Sequence, residues 1–86
     1  MLSRAENPVA WTMLLIEMEE AHEHLRELLA QLRPQGPIDD YEFAVHLGHV
    51  YAHLNRAWHA RHQVTEITEA QWEPFSQFPV DVRPVG

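Results

Sequence analysis

The sequence contains neither cysteine nor lysine, and each absence removes a class of chemistry. Without cysteine there are no disulfides, no thiolate nucleophiles and no cysteine-based zinc sites. Without lysine there is no Walker-type phosphate loop, no Schiff base and no lysine general base. The two serines, Ser3 and Ser76, do not lie in a nucleophile elbow. We therefore predict no catalytic residue, and an enzyme would have to work through a bound metal.

Positive charge is also scarce, since 6 Arg face 13 Asp and Glu and the net charge is −7 with neutral histidines. Nucleic-acid binding requires clustered Arg and Lys, so the composition predicts no nucleic-acid partner. The same charge disfavours anionic membrane surfaces. The most apolar run, residues 9–16, is shorter than the roughly 20 residues of a membrane span and lacks a signal-peptide cleavage site. We expect a cytoplasmic protein that does not associate with membranes.

The chain is short, with 86 residues and a mass of 10.1 kDa. A domain of this size buries a small core, and disulfides, metals or partner chains usually supply additional stability. Because disulfides are excluded, a metal ion or a second chain remains. The two functional hypotheses below follow from these two possibilities.

Two long helices are predicted after an N-terminal lead of residues 1–7. Asn7 and Pro8 are typical of an N-cap and a first helical position, and the first helix is predicted over residues 8–33. Its apolar residues alternate at spacings of three and four, which indicates a heptad seam. The seam consists of Trp11, Leu14, Met18, Ala21, Leu25, Leu28 and Leu32.

A loop over residues 34–38, rich in Pro and Gly, precedes a second helix predicted over residues 39–64. Asp39 and Glu42 form a capping-box arrangement at its start. A short connection between long helices predicts an antiparallel hairpin. The fold class is therefore all-α.

Residues 65–86 differ in character from the helices. A short helix capped by Thr65 or Thr68 is predicted to run through Trp72, with an interruption at Pro74 and an extended tail after it. The hairpin brings Trp11 near Trp58. We expect the aromatic side chains of the tail to cover these two residues as a small aromatic core, with an exposed ligand site as the less favoured alternative. These tail residues are Trp72, Phe75 and Phe78.

Small residues at spacings of four suggest a second interface on helix 2. Together with the wide seam of helix 1, they predict that two hairpins pair as a homodimeric four-helix bundle. One alternative is that Gly48 makes room for Tyr51 or Trp58 of the same chain, and another is a three-element monomer closed by the tail. The predicted interface residues are Ala44, Gly48, Ala52, Trp11, Leu14, Met18 and Leu25.

Seven histidines are the one compositional anomaly. Three of them, His46, His49 and His53, lie on one face of helix 2. Glu17, Glu20 and His24 share a face of helix 1, at the same height in the hairpin. Such a pattern suits a zinc or iron site in a helical bundle. Both lines lie beside the apolar stripes, so we expect them to meet inside a dimer or else to face solvent. The candidate ligands are His46, His49, His53, His24 and Glu20.

The leading hypothesis is a small helical protein that acts by association with itself or with a protein partner. The alternative hypothesis is a bundle that binds Zn or Fe through the histidine and glutamate lines. No other cofactor is predicted.

Overall fold

The computed structural model describes residues 1–86 and contains three helices and no strand. They are α1 (Pro8–Leu32), α2 (Asp40–His59) and α3 (Glu69–Ser76). Contacts from Glu17 to His53 and from Gln31 to His46 show that α1 and α2 run antiparallel. The prediction of an all-α chain is confirmed. None of the three helices combines the length and apolar composition needed to cross a membrane.

Both long helices begin at the predicted caps. Asn7 accepts a hydrogen bond from the backbone N–H of Ala10 at 3.3 Å, and Pro8 occupies the first helical position. Asp39 accepts one from the backbone N–H of Glu42 at 2.7 Å. These side chains satisfy amide groups that a helix start leaves without a partner.

The second helix ends at His59, well before the predicted end at Val64. Arg61 causes the early end, because its guanidinium donates to the carbonyl of Trp58 at 2.7 Å and lies 3.7 Å from the centre of the Trp58 ring. The chain then turns, and the backbone N–H of Gln63 donates to Ala60. A side chain that caps the last carbonyls thus ends a helix that residue propensity alone would continue.

The third helix begins at Thr68, in a capping box with Gln71, and continues through Pro74 to Ser76. The expectation that Pro74 interrupts the helix was wrong. Proline removes one backbone hydrogen bond, but side chains of α2 form hydrogen bonds with the last residue of α3 and stabilise the turn after Pro74. Asn55 donates to the carbonyl of Ser76 at 2.8 Å, and Arg56 donates to its hydroxyl at 2.7 Å.

The core lies between α1 and α2 and is small. Only 9 of 86 residues are buried, and no large side chain is buried completely. The buried line on α1 passes through Glu17, which is 8% exposed, whereas Met18 and Leu25 are 47% and 41% exposed. The helix is therefore rotated away from the predicted seam and towards Glu17. The buried residues are Ala10, Glu17, Ala21, Leu28, Val50, Asn55, Arg56, Ala57 and Ala60.

This rotation gives the hairpin two different faces. One side, called the apolar face below, carries hydrophobic side chains from both helices. It consists of Leu14, Leu15, Met18, Leu25 and Leu29 of α1 and Phe43, Leu47, Tyr51, Leu54 and Trp58 of α2. The opposite side, called the polar face, consists of Glu17, Glu20, His24 and Gln31 of α1 and His46, His49, His53 and Arg56 of α2.

The C-terminal segment packs on α2 and forms no aromatic core with Trp11. Trp72 lies against Arg56, with 4.0 Å between guanidinium carbon and ring centre, while Phe78 meets Tyr51 edge to face. Phe75 stacks on His59. The expected cover over Trp11 was wrong, because the tail packs along α2. There Phe78 and Pro79 line a cavity together with Trp58, whose indole donates to Asp81.

Candidate functional site

The centre of the polar face is a buried ion pair between Glu17 and Arg56. Arg56 donates from Nε to one Glu17 oxygen at 3.2 Å, and Arg56 is only 5% exposed. The other Glu17 oxygen lies 2.8 Å from Nδ1 of His53. Both carboxylate oxygens thus have a donor, which compensates for burying the charge between the helices.

His53 has a ring orientation fixed by its neighbours. Its Nδ1 lies 2.8 Å from Glu17, 3.3 Å from a Glu20 oxygen and 3.1 Å from an Arg56 nitrogen. When Nδ1 carries a proton, that proton is donated to Glu17, and the Arg56 nitrogen, which can only donate, then makes no hydrogen bond to Nδ1. A carboxylate on the far nitrogen is the arrangement that orients histidines towards metals or protons.

Two more histidines touch this ring. The His24 ring stacks on the His53 ring with centres 5.1 Å apart, and it meets the His49 ring edge to face at 5.2 Å. The two predicted lines therefore meet within one hairpin. The expectation that they would meet only in a dimer or else face solvent was wrong, because the rotation of α1 turns Glu17 and His24 towards α2.

The predicted ligand set is only partly brought together. Glu20, His24, His49 and His53 form one cluster, whereas His46 lies further along the hairpin, where Gln31 donates to its Nε2 at 3.3 Å. No three histidine, aspartate or glutamate side chains are arranged so that they could hold one metal ion. The Arg56 guanidinium beside His53 adds positive charge at the centre of the cluster.

Sequence reasoning missed Arg56, Trp72 and Ser76 as parts of this site. No role in the site was predicted for Arg56, whereas in the structure it links the polar face to α3. One local signal was present, since Arg56 follows His53 by three residues and shares its side of the helix. The contact with α3 depends on a turn over residues 60–63 that the sequence did not reveal.

The predicted association residues fall on two different surfaces. Met18 and Leu25 lie exposed on the apolar face, with Leu14 half-buried on the same side and Trp11 half-buried nearby. Ala44 and Gly48 lie exposed on the outer side of α2, and Ala52 is half-buried.

The glycine does not serve the packing of its own chain. A Cβ added at Gly48 would meet nothing within 4 Å. The alternative in which Gly48 makes room for Tyr51 or Trp58 was therefore wrong.

The tail is fastened to α2 at Asp81. The Trp58 indole donates to an Asp81 oxygen at 2.8 Å, and Arg61 lies 3.9 Å from the other oxygen. This indole hydrogen bond, together with the charge of Arg61, holds the pKa of Asp81 below its usual value.

Comparisons of the chain with protein-family models, curated proteins and solved structures found no match.

Proposed function

We propose that the protein acts by self-association, with two copies pairing their apolar faces into a four-helix bundle. The observation that carries this proposal is that the buried core contains few large hydrophobic side chains, whereas many of them are exposed on the surface. The core contains six hydrophobic residues, four of them alanines, while large side chains of both helices are exposed on one side. Contiguous apolar surface of this kind is typical of association sites.

The surface available is sufficient for a dimer. Seven residues of the apolar face are between 37% and 47% exposed. Aromatic side chains offer about 150–250 Å² each, and if the leucines and Met18 offer a similar area, the seven residues supply roughly 500–600 Å² per copy. Two copies then bury together about 1,000 Å² or more, the size at which specific interfaces begin.

The chemistry of the face fits an identical partner. Between Leu14 and Leu29 only His22 interrupts the apolar side of α1, and no charged residue interrupts it on α2 between Phe43 and Leu54. Arg61 and Asp81 lie at its Trp58 end. Two chains of charge −7 repel each other. Contact through an uncharged surface keeps this electrostatic repulsion between the copies lowest. A two-helix face pairing with itself gives the isologous contact of a four-helix bundle.

The test compares matched polar substitutions on α1. Met18→Gln combined with Leu25→Gln places two amides in the proposed interface. Ile16→Gln is the control, since Ile16 is 49% exposed against 47% for Met18 but lies on the other flank of α1. Light scattering after gel filtration, over a range of concentrations, measures the dimer fraction.

We expect the double variant to dissociate at concentrations where the parent chain and Ile16→Gln remain dimeric. A monomeric parent chain at all concentrations would refute the proposal. Equal dissociation of the double variant and the control would also refute it. Circular dichroism of each variant shows whether its helices are intact.

Metal binding is the second candidate function, and one observation favours it. His24, His49 and His53 meet at ring distances near 5 Å, and Glu17 fixes the orientation of the His53 ring through its Nδ1. Movement of the exposed His49 side chain would be needed, because no three ligands are arranged for a metal as the chain stands. Native mass spectrometry of untagged protein offered zinc or iron tests it, with stoichiometric uptake as the supporting result.

A further inference from the structure

A cavity of about 510 Å³ lies between α2 and the C-terminal tail, and it is called the tail cavity below. One wall is the side of α2 from Tyr51 to Trp58, where residues at spacings of three and four share a face. The other wall is the chain after α3, which is fastened to α2 where the Trp58 indole donates to Asp81. The volume falls within the range of small-molecule sites, about 300–1,000 Å³.

The lining of the tail cavity is aromatic and uncharged. Tyr51, Trp58 and Phe78 contribute rings, and no Asp, Glu, Arg or His residue takes part. Arg61 covers one face of the Trp58 ring but does not line the cavity, and Tyr51 and Phe78 meet only edge to face. These rings therefore keep surface for a ligand, and an aromatic ligand gains from them beyond the burial of its own area. A charged ligand would lose its hydration without an ion pair to compensate.

One polar group of the tail cavity is buried and has unused hydrogen-bonding capacity. Asn55 is 6% exposed, and its Nδ2 donates to the Ser76 carbonyl at 2.8 Å. Because a carbonyl can only accept, Ser76 fixes the amide with its nitrogen towards α3. The Asn55 Oδ1 accepts no hydrogen bond from the protein. Every fully buried polar side-chain atom of the chain has a partner, so this oxygen keeps accessible surface, and a ligand in the cavity can donate to it.

We propose that the tail cavity binds a small, uncharged aromatic molecule that carries an N–H or O–H donor. The ring of the ligand lies among the three aromatic side chains, and its donor meets Oδ1 of Asn55. The Trp58 N–H does not compete for this oxygen, because it donates to Asp81. A binding site for such a molecule goes beyond self-association and does not rest on it.

The experiment titrates ¹⁵N-labelled protein with indole, which has an N–H donor, and with benzofuran, which has the same two-ring shape without one. We expect saturable shifts of the Trp58 indole and the Val82 amide, which belong to the lining. The Trp72 indole lies outside the cavity and should not shift. Absence of a saturable shift with indole, or shifts confined to residues outside the cavity, would overturn the proposal.

The substitution Asn55→Leu tests the hydrogen bond. It removes the acceptor at nearly unchanged size, and we expect it to lower the ratio of indole affinity to benzofuran affinity about fivefold, the usual effect of one neutral hydrogen bond. The ratio is the informative quantity, because any loosening of α3 after loss of the contact with Ser76 affects both probes. An unchanged ratio would refute the role of Asn55 and with it the proposal.

Two matched variants test the aromatic wall. Phe78→Ala removes a ring from the lining and is expected to weaken the binding of both probes at least about threefold. Phe75→Ala removes the same ring from α3, where it stacks on His59 outside the cavity, and is expected to leave both affinities unchanged. Equal effects of the two substitutions would contradict the assignment of the site.

A second copy of the chain is the competing occupant, since the tail cavity shares Tyr51, Leu54 and Trp58 with the apolar face. The variant Met18→Gln with Leu25→Gln separates the two, because neither substituted residue lines the cavity. We expect this variant to bind indole at least as tightly as the parent chain, whether or not the parent chain is dimeric. Loss of indole binding in the variant would assign the cavity to the dimer and overturn the proposal.

Discussion

The buried pair of Glu17 and Arg56 makes a quantitative prediction about stability. The substitution Arg56→Met keeps a long apolar stem but removes the charge, and it leaves Glu17 buried without its cation. Breaking a buried pair in this way costs about 3–5 kcal/mol. The variant also loses the contact with the Trp72 ring and the hydrogen bond to Ser76.

This loss is large for a chain of 86 residues, whose free energy of unfolding is expected to be roughly 4–13 kcal/mol. With a urea dependence of about 1 kcal/mol per molar, the unfolding midpoint falls by about 3–5 M. Circular dichroism at 222 nm follows the transition. Measurement at two protein concentrations separates unfolding from dissociation of a dimer.

The double variant Glu17→Met with Arg56→Met provides the decisive comparison. Removing both charges relieves the uncompensated burial, so we expect it to be more stable than Arg56→Met alone. Arg26→Met, at an exposed position of α1, is the control and should change stability by less than about 0.5 kcal/mol. A cost below about 1 kcal/mol for Arg56→Met, or strictly additive effects in the double variant, would refute the argument.

Three further predictions follow from other parts of the chain. The pKa of Asp81 is lowered from the ordinary value of 3.8, so its contact with Trp58 stabilises the fold above that pH, and this stabilisation is lost as the pH falls through the lower folded pKa. The Trp58 indole resonance should therefore stay unchanged at pH 5 and shift at lower pH. A shift centred above pH 5 would contradict this. If zinc binds the histidine cluster, His49→Ala should lower the melting temperature more with zinc than with a chelator, and equal shifts would count against binding. Gly48→Leu should leave the dimer intact because Gly48 lies outside the apolar face; loss of the dimer would instead place the contact on the small-residue line of α2.

Local signals predicted the helix starts well. Asn7 with Pro8 and Asp39 with Glu42 satisfy amide groups within a few residues of themselves, so their effect is readable from the sequence. The end of α2 was predicted too late, because Arg61 both stacks on Trp58 and caps its carbonyl. A hydrophobic pattern contains no information about such a contact.

The side of α1 that packs against α2 was predicted only approximately. The heptad seam left Glu17 beside the apolar stripe, facing either a second chain or solvent, although Arg56 of the same chain neutralises it from the other helix. This compensation joins positions 39 residues apart and cannot be read from one helix alone. For the same reason, the meeting of His24 with His53 inside the hairpin could not be predicted.

The attachment of α3 has a consequence for the dynamics of the chain. This helix has no buried residue of its own, and it is held by hydrogen bonds from Asn55 and Arg56 and by the Trp72 stack. Elements with so little buried surface open well below the free energy of global unfolding. The amides of α3 should therefore exchange with deuterium earlier than those around Ala21 and Val50. Each opening of α3 exposes the Glu17–Arg56 pair to water. The stability of α3 on α2 therefore determines how often this buried ion pair becomes solvated.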